Sequence, residues 1–475
     1  MNLKNKKVLL VGLGILGGGE ATAKFLAKNG AKLTITDLKE KEYLKKTVNN
    51  LKQYKIKFVL GKHKEKDFKE NEIIVFNQAV SASSKWVQLA KKNKKQIETD
   101  LTLFLKILKY KKPGAEYIAV TGTRGKTTTA SWINRFLKPA ILGGNIPEAS
   151  PPKIFESFFK SRNNALILEI PSAQLEYFKI VKNLRPPKIA IITNLYVDHL
   201  NRHGNMKNYA LAKAKIFSNQ VKNDFLILNY DNKNKKYFLK QKPKAKIFYV
   251  SLDKLPKGEN GLYFDKDRIF FQNKKEKEFV AKIKNFGAHQ KYNLLNALLS
   301  GYLYGRKWKE LIGKIPSLPS VKFRQQIIFK NKKFTVINDS AATSPEATIA
   351  ALENFGEGKR GLILITGGTN KDLEFKGLAG KIKKYIKQEN LFLFNGSATE
   401  KIIQELGKIK YFSDKKRVNP SDGLKDILVN VKKKKQNGVI LFSPASASFE
   451  KFKNEFNRGE KFNKLIKLIF KKNGK

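Results

Sequence analysis

The chain has 475 residues, 41% of them hydrophobic, and carries 96 Lys and Arg against 40 Asp and Glu, a net charge of +56. A chain of that length exceeds one ordinary core and is expected to divide into two to four domains. It has no cysteine and four histidines, His63, His199, His203 and His289, which excludes disulfides, thiolate metal sites and cysteine nucleophiles and argues against a structural zinc. The positive charge is mostly lysine and is scattered, whereas base and phosphate readout leans on arginine forks. The expectation is no specific nucleic-acid partner, only weak, salt-sensitive attraction to polyanions. No apolar run reaches the length of a membrane span, and the chain enters a strand within a few residues without a signal peptide. A cytoplasmic protein with no membrane partner is expected, and a monomer.

In chain order, Val8–Val11 reads as a strand, followed by a Gly-rich turn, a helix over about 20–28 and a strand over 33–36 ending at Asp37. A further strand reads over 73–76. The polar Lys109–Gly114 stretch, with its Pro-Gly breaker, reads as a linker. A new strand over 117–120 runs into a glycine loop and a helix over 126–137, with strands following at 165–168, 189–192 and 225–228. Residues 231–285 alternate short strands with turns, a helix covers about 292–304, and Pro316–Pro319 marks a second boundary. Strands at 334–337, 362–365, 391–394 and 439–442 repeat the rhythm. Apolar strands separated by helices indicate parallel sheets covered on both faces. The prediction is three consecutive α/β domains: a Rossmann-like one over 1–111, a P-loop ATPase-like one with a mostly parallel sheet over 112–316, and a second Rossmann-like one over 317–475.

The loop Gly122-Thr123-Arg124-Gly125-Lys126-Thr127 sits between a strand and a helix, as a phosphate cradle requires: backbone N–H groups point inward with a helix N-terminus behind them. Lys126 supplies charge for the β- and γ-phosphates, and the Thr127 hydroxyl can ligate Mg2+. The first glycine of G-x-x-x-x-G-K-[ST] would fall at Val120, so the loop is a shortened form. Gly12-Leu13-Gly14-Ile15-Leu16-Gly17 matches G-x-G-x-x-G, with Asp37 about where a ribose-binding acid sits. Beside an ATP loop, it reads as a site for a nucleotide-linked substrate. A dinucleotide-dependent oxidoreductase or redox-sensing module is the competing class. Glu169 ends a strand next to the phosphate loop, and Asp198-His199 follows another; with Thr127 they suggest a Mg2+ site. Asn338-Asp339-Ser340, Gly367-Gly368 and Ser443-Pro444 end strands in the last third, where open α/β sheets bind ligands.

These residues resemble the Mur ligases, which build the peptide of bacterial cell-wall precursors. Gly-Thr-x-Gly-Lys-Thr-Thr is similar to their short phosphate loop. Glu169-Ile-Pro-Ser-Ala-Gln174-Leu-Glu176, Asn338-Asp-Ser-Ala-Ala-Thr343, Ser443-Pro-Ala-Ser-Ala-Ser448 and Phe452-Lys-Asn454 with Arg458-Gly459 resemble the branch that adds D-glutamate to UDP-N-acetylmuramoyl-L-alanine. The resemblance spans nearly the whole chain. It implies carboxylate activation by ATP to an acyl phosphate, then displacement of phosphate by an amine. It further implies that Gly122, Thr123, Arg124, Gly125, Lys126, Thr127 and Thr128 hold ATP, with Asn293 and Asn296 on the adenine side and Arg324 and Asp339 from the C-terminal domain. Two Mg2+ sites would use Thr127, Glu169, His199 and a carbamylated Lys213, with Lys215 as rival for the carbamate. Lys126, His199 and Lys213 would be the catalytic residues. Gly14, Leu16 and Asp37 would surround the uridine diphosphate. Asn145 would contact the muramoyl substrate or the metal shell, Gln174 the substrate, and Thr343, Lys371 and Ser448 the incoming D-glutamate.

Departures from the pattern cluster at the two substrates: Pro171, Asn201, Ala341, Glu455-Phe456 and Asn77-Gln78-Ala79. They leave open a related ligase that uses another amino acid or a polyglutamate substrate. Arg124 replaces the usual small or amide residue inside the loop.

Overall fold

The computed structural model describes residues 3–470 apart from 16, 147–148, 163, 275, 285, 357–360, 371–372, 413–419, 422, 435–436 and 449. Two compact units emerge: Met1–Lys284 with Lys291–Leu318, and Asn285–Gln290 with Pro319–Lys475.

The first unit holds two sheets. Strands β1 (Lys7–Val11), β2 (Lys32–Asp37), β3 (Ile56–Leu60), β4 (Ile73–Phe76) and β5 (Gln96–Glu98) form an all-parallel sheet in the order β3-β2-β1-β4-β5. Alternation along β1 sends Val8 and Leu10 to one face with Ala23 and Leu26, and Leu9 and Val11 to the other with Phe68 and Val87. Burial of both faces is why these strands read as continuous apolar runs. Helices α1 (Gly18–Lys28) and α2 (Asp100–Lys111) belong to this layer. Thr99 caps α2, and the helix continues to Lys111, so the stretch from Lys109 that reads as a linker is helical in its first three residues. The Pro-Gly pair acts only after the helix has ended.

The second sheet has nine strands in the order β14-β13-β12-β11-β10-β9-β6-β8-β7. They are β6 (Glu116–Thr121), β7 (Ile141–Gly144), β8 (Ala165–Glu169), β9 (Ile189–Ile192), β10 (Phe225–Asn229), β11 (Lys246–Ser251), β12 (Gly261–Asp265), β13 (Arg268–Asn273) and β14 (Glu276–Lys282). β6 to β12 run parallel and the last two are antiparallel. One face buries Tyr117, Ala119, Leu166, Leu168, Ala190 and Leu226 against Leu105, Leu108, Phe158 and Phe217. Helices α3 (Lys126–Phe136), α4 (Ser172–Leu175), α5 (Leu200–His203), α6 (Met206–Ala214) and α7 (Ala288–Leu303) connect these strands or follow them. α7 starts four residues earlier than the expected Tyr292, because nothing in Ala288-His-Gln-Lys291 breaks a helix.

The second unit contains β15 (Gln326–Lys330), β16 (Phe334–Asn338), β17 (Ile363–Thr366), β18 (Leu391–Leu393) and β19 (Gly438–Phe442), in the order β15-β16-β19-β17-β18. Only β15 is antiparallel. Ile337, Leu364 and Leu441 pack on one face, Val336, Ile363 and Ile440 on the other. Helix α8 (Glu455–Phe470) closes the described chain. The strand β19 lies in the middle of this sheet although it is the last strand in sequence. No helix among the described residues is long and apolar enough to cross a membrane.

Candidate active site

The glycine loop joins β6 to α3, with Gly125 in the left-handed conformation (φ 80°) as the N-cap residue of α3. A side chain at Gly122 would put its Cβ 1.9 Å from Thr193 Oγ1, and one at Gly125 would come 2.3 Å from Asn293 Oδ1. Both glycines are required by contact. The loop is moulded by the end of β9: Thr123 N donates to the Asn194 carbonyl, Arg124 N donates to Asn194 Oδ1 at 2.9 Å, and Thr193 Oγ1 donates to the Arg124 carbonyl at 2.6 Å. Asn293 also accepts from Thr129 Oγ1 at 3.2 Å, tying α7 to α3. Asn296 is fully buried and its Oδ1 finds no hydrogen-bond partner. Thr127 and Thr128 lie in the first turn of α3.

Cations gather here. Lys126 Nζ donates to the carbonyls of Gly122 and Thr123, both at 3.1 Å. Lys213, on α6, is 1% exposed and donates to the same Gly122 carbonyl at 2.8 Å. Burial, then the charge of Lys126, pushes the Lys213 amine well below its usual range, with Arg124 adding to the effect and Asp198 opposing it. Arg124 NH1 pairs with Asp198 Oδ2 at 3.1 Å. Burial alone would raise the Asp198 carboxyl; the charges of Arg124 and His199 and the His199 N–H hold it below its usual value. Arg124, unexplained in the sequence, therefore anchors the residue preceding His199. His199 has φ 55°. Desolvation, with Lys126, Lys213 and Arg124 acting against Asp198, lowers its imidazole to about 4, leaving it neutral at pH 7.

Glu169 ends β8, in register with Val120 of β6, so it flanks the loop. It is 3% exposed, and its Oε2 is buried with no hydrogen-bond partner. A buried carboxylate oxygen without a donor suits a cation. Among the described residues no three His, Asp or Glu side chains group as a metal cage. A divalent ion at Glu169 would draw the rest of its shell from hydroxyl, phosphate or water oxygens. The Asn145 backbone N–H donates to the Glu169 carbonyl, while Asn145 Oδ1 accepts from Gln78 Nε2 at 3.1 Å. Gln174, on α4, is buried and hydrogen-bonded to Asp100, whose carboxyl burial raises to about 6.

At the N-terminal turn, Asp37 Oδ2 accepts from the N–H groups of Leu13 (2.8 Å) and Gly14 (3.0 Å), and Oδ1 from that of Lys39 (2.9 Å). The acid thus braces the glycine turn from inside. Leu16 and Lys371 lie outside the described residues.

In the second unit, Asp339 follows β16 and is buried; Ser443 Oγ donates to its Oδ2 at 2.8 Å and Gln325 N to its Oδ1 at 3.0 Å. Burial raises it to about 7 despite those bonds and the nearby Arg324 and Arg458. Arg324 is exposed, Thr343 half-buried, and Ser448 buried with an unpartnered Oγ. Arg458, fully buried, donates to the carbonyls of Ser340 (2.8 Å), Ser446 (3.0 Å) and Ala447 (2.9 Å). It staples together the two strand-end motifs singled out in the sequence.

Sequence reasoning passed over Thr193, Asn194 and Arg202. None carries a spacing signal, because each acts across the tertiary fold. Tyr209 lies under the Lys213 ammonium, 4.5 Å from its ring centre.

Comparison with known proteins gives the family. Residues 120–301 match the Mur ligase middle domain and residues 6–98 the Mur ligase MurD-like N-terminal domain. The UDP-N-acetylmuramoylalanine–D-glutamate ligase of Borreliella afzelii is 36% identical over 480 residues, 98% of this chain and 99% of that one. The protein of the same name from Roseiflexus is 31% identical over 479 residues, with the same coverage. Among solved structures, the UDP-N-acetylmuramate–alanine ligase of Thermotoga maritima shares the fold with a TM-score of 0.58 at 19% identity, covering 97% of this chain and 99% of that one. The MurF ligase of the same organism, in complex with ADP, gives 0.57 at 15% identity, covering 99% and 96%. The chain belongs to the Mur ligase family, on its MurD-like side, and is an ATP-dependent ligase.

Proposed function

We propose that the chain adds D-glutamate to UDP-N-acetylmuramoyl-L-alanine, as the names of its full-length relatives describe for those proteins, and that it works as a cytoplasmic monomer. The observation that carries the chemistry is the pair of lysines on the Gly122 carbonyl beside a buried, unpartnered Glu169 oxygen. A carboxylate must approach an anionic γ-phosphate, and that repulsion needs positive charge held in a dry site. Lys126 supplies it from the loop, and the amides ahead of α3 receive the phosphates. Displacement of phosphate by the incoming amine then forms the amide.

The residues fit two divalent cations: Thr127 and Glu169 for one, His199 and a modified Lys213 for the other. His199 is neutral at working pH, as a metal ligand must be. Bound Mg2+ would screen the phosphates and polarise the transferred group. Lys213 is the better carbamate candidate than Lys215. It is buried, and burial pushes its amine well below the usual range, toward the neutral form that adds CO2, whereas Lys215 is half-buried. The N–C bond forms, one proton leaves, and a neutral amine becomes an anionic ligand.

The test is phosphate release that requires ATP, Mg2+, UDP-N-acetylmuramoyl-L-alanine and D-glutamate together. Release that ignores D-glutamate sinks the reading. Ala341, standing where the family pattern has lysine near the amino-acid site, motivates one rival reading, a different acceptor amine. A preference for another amino acid in a panel would favour it.

A further inference from the structure

The sheet order β3-β2-β1-β4-β5 reverses direction between β1 and β4. Open α/β sheets take their ligands at such a point, at the carboxyl ends of the strands. The crevice there has two walls: the glycine turn after β1, and residues 77–84 after β4. The two are in close contact, since a Cβ on Gly12 would lie 2.9 Å from Asn77 Cβ.

The second wall is held from the nine-stranded sheet. Arg202 donates through Nε to Glu176 Oε1 (2.7 Å) and through NH2 to Glu176 Oε2 (2.9 Å). The same guanidinium reaches the carbonyls of Ala79 (3.4 Å) and Val80 (3.3 Å). Ala82 N donates to Glu176 Oε2 at 3.2 Å, and Tyr177 OH to the Val80 carbonyl at 2.9 Å. The Tyr177 ring is fully buried and stacks on Phe76, the last residue of β4. His203, beside Arg202, has Nδ1 3.5 Å from Glu176 Oε1 and Nε2 3.1 Å from Ser172 Oγ. One continuous network therefore runs from the crevice wall to α4 and to α5, whose N-cap residue is His199.

We infer that Arg202, held by Glu176 and aided by Tyr177, is a positioning residue that fixes the 77–84 wall of the crevice and so sets affinity for the nucleotide-linked precursor. The assignment of that precursor rests on the function proposed above. The wall is half-buried apart from the exposed Ala79 and Ser83, and has no strand or helix of its own between Asn77 and Ser84. A planar bidentate fork is the group that can grip a carboxylate and two carbonyls at once. Lysine, a point charge with no fixed plane, cannot replace it.

Calorimetric titration of the full chain with UDP-N-acetylmuramoyl-L-alanine, and separately with a non-hydrolysable ATP analogue, tests this. Arg202→Ala and Arg202→Lys should weaken precursor binding by about ten-fold or more, the loss of charge-assisted hydrogen bonds. Tyr177→Phe, which removes one oxygen and keeps the ring, should weaken it by roughly three-fold. Affinity for the ATP analogue should stay within about two-fold in all three. Wild-type precursor affinity in Arg202→Lys and Tyr177→Phe overturns the inference, as does an equal loss for both ligands. A wild-type chain that takes the ATP analogue and ignores the precursor sinks the substrate assignment, and this inference with it. Should Arg202→Ala not fold, the other two variants decide.

Discussion

Lys126 and Lys213 donate to one acceptor, the carbonyl oxygen of Gly122, at 3.1 and 2.8 Å. Two amines so placed disfavour each other's charge, and burial, then the charge of Lys126, pushes the Lys213 amine well below its usual range. Lys126 then remains the cation available to the phosphates. Lys126→Ala is expected to cut turnover by about a hundred-fold or more, with little change in melting temperature. ATP-dependent phosphate release measured on the purified variant checks this, and near-normal rates would contradict the loop assignment.

Lys213→Ala should be inactive and partly recovered by a small carboxylate such as acetate or propionate, which returns an anionic oxygen to the site. Lys215→Ala should keep most of its activity. Chemical rescue of the position 215 variant and not of the position 213 variant would move the carbamate.

Gly125→Ala forces an alanine into φ 80° and drives its Cβ to 2.3 Å from Asn293 Oδ1. The left-handed backbone alone costs about 1 kcal/mol, and the contact must push Asn293 away. Weaker ATP-analogue binding together with a lower melting temperature is expected. Unchanged affinity would show that the Asn293 contact does not shape the nucleotide site.

Asp339 supplies a pH signature. Its carboxyl is raised by burial from the usual 3.8 to about 7. The folded chain therefore binds that proton more tightly than the unfolded one. The contribution to stability is full below about pH 4 and is lost as the pH rises through 7. Asp339→Asn removes the penalty of ionisation. The melting temperature of the variant relative to wild type should climb between pH 4 and pH 7 and level off above. A flat difference across that range would remove Asp339 as its source.

Arg458 holds three buried carbonyls, and Arg458→Ala takes away the donors to those of Ser340 and Ser446, while Ala447 keeps the Thr369 N–H, at a cost of about 2 kcal/mol or more. Lysine should not restore the loss, because the acceptors need a planar fork. Hydrogen exchange locates the effect: protection of β16 and β19 should fall while that of β6 is unchanged. Equal loss in both units would show a global defect instead.

Much of this architecture was legible in the residues. The buried strands Ile73–Phe76 and Ile189–Ile192 stand where their apolar runs put them, to the residue. β3 escaped notice because Lys57 interrupts its run, and β7 because half of it is glycine. β15 is a short edge strand with little burial to shape its sequence. In the candidate site the glycine loop was visible as spacing. Of its partners, Asn293 and Lys213 entered only through the family resemblance and Thr193 and Asn194 not at all, because all four reach the loop across 69 to 164 positions of chain, by side-chain contacts that no local pattern records. Arg202 was hidden for the same reason, since Glu176 and Val80 are neighbours only in space.

The last strand in sequence, β19, lies between β16 and β17. On the ribosome, the chain emerges with a hole in the middle of its third sheet. Until Gly438–Phe442 leaves the exit tunnel, β16 and β17 each present an open edge to whatever is nearby. In the nine-stranded sheet β8 is likewise inserted between β6 and β7, but it is the next strand made after β7. The second unit should thus be the segment of the nascent chain that most needs shielding, and a premature stop anywhere after Lys433 but before β19 removes the keystone of a sheet whose other strands are already made.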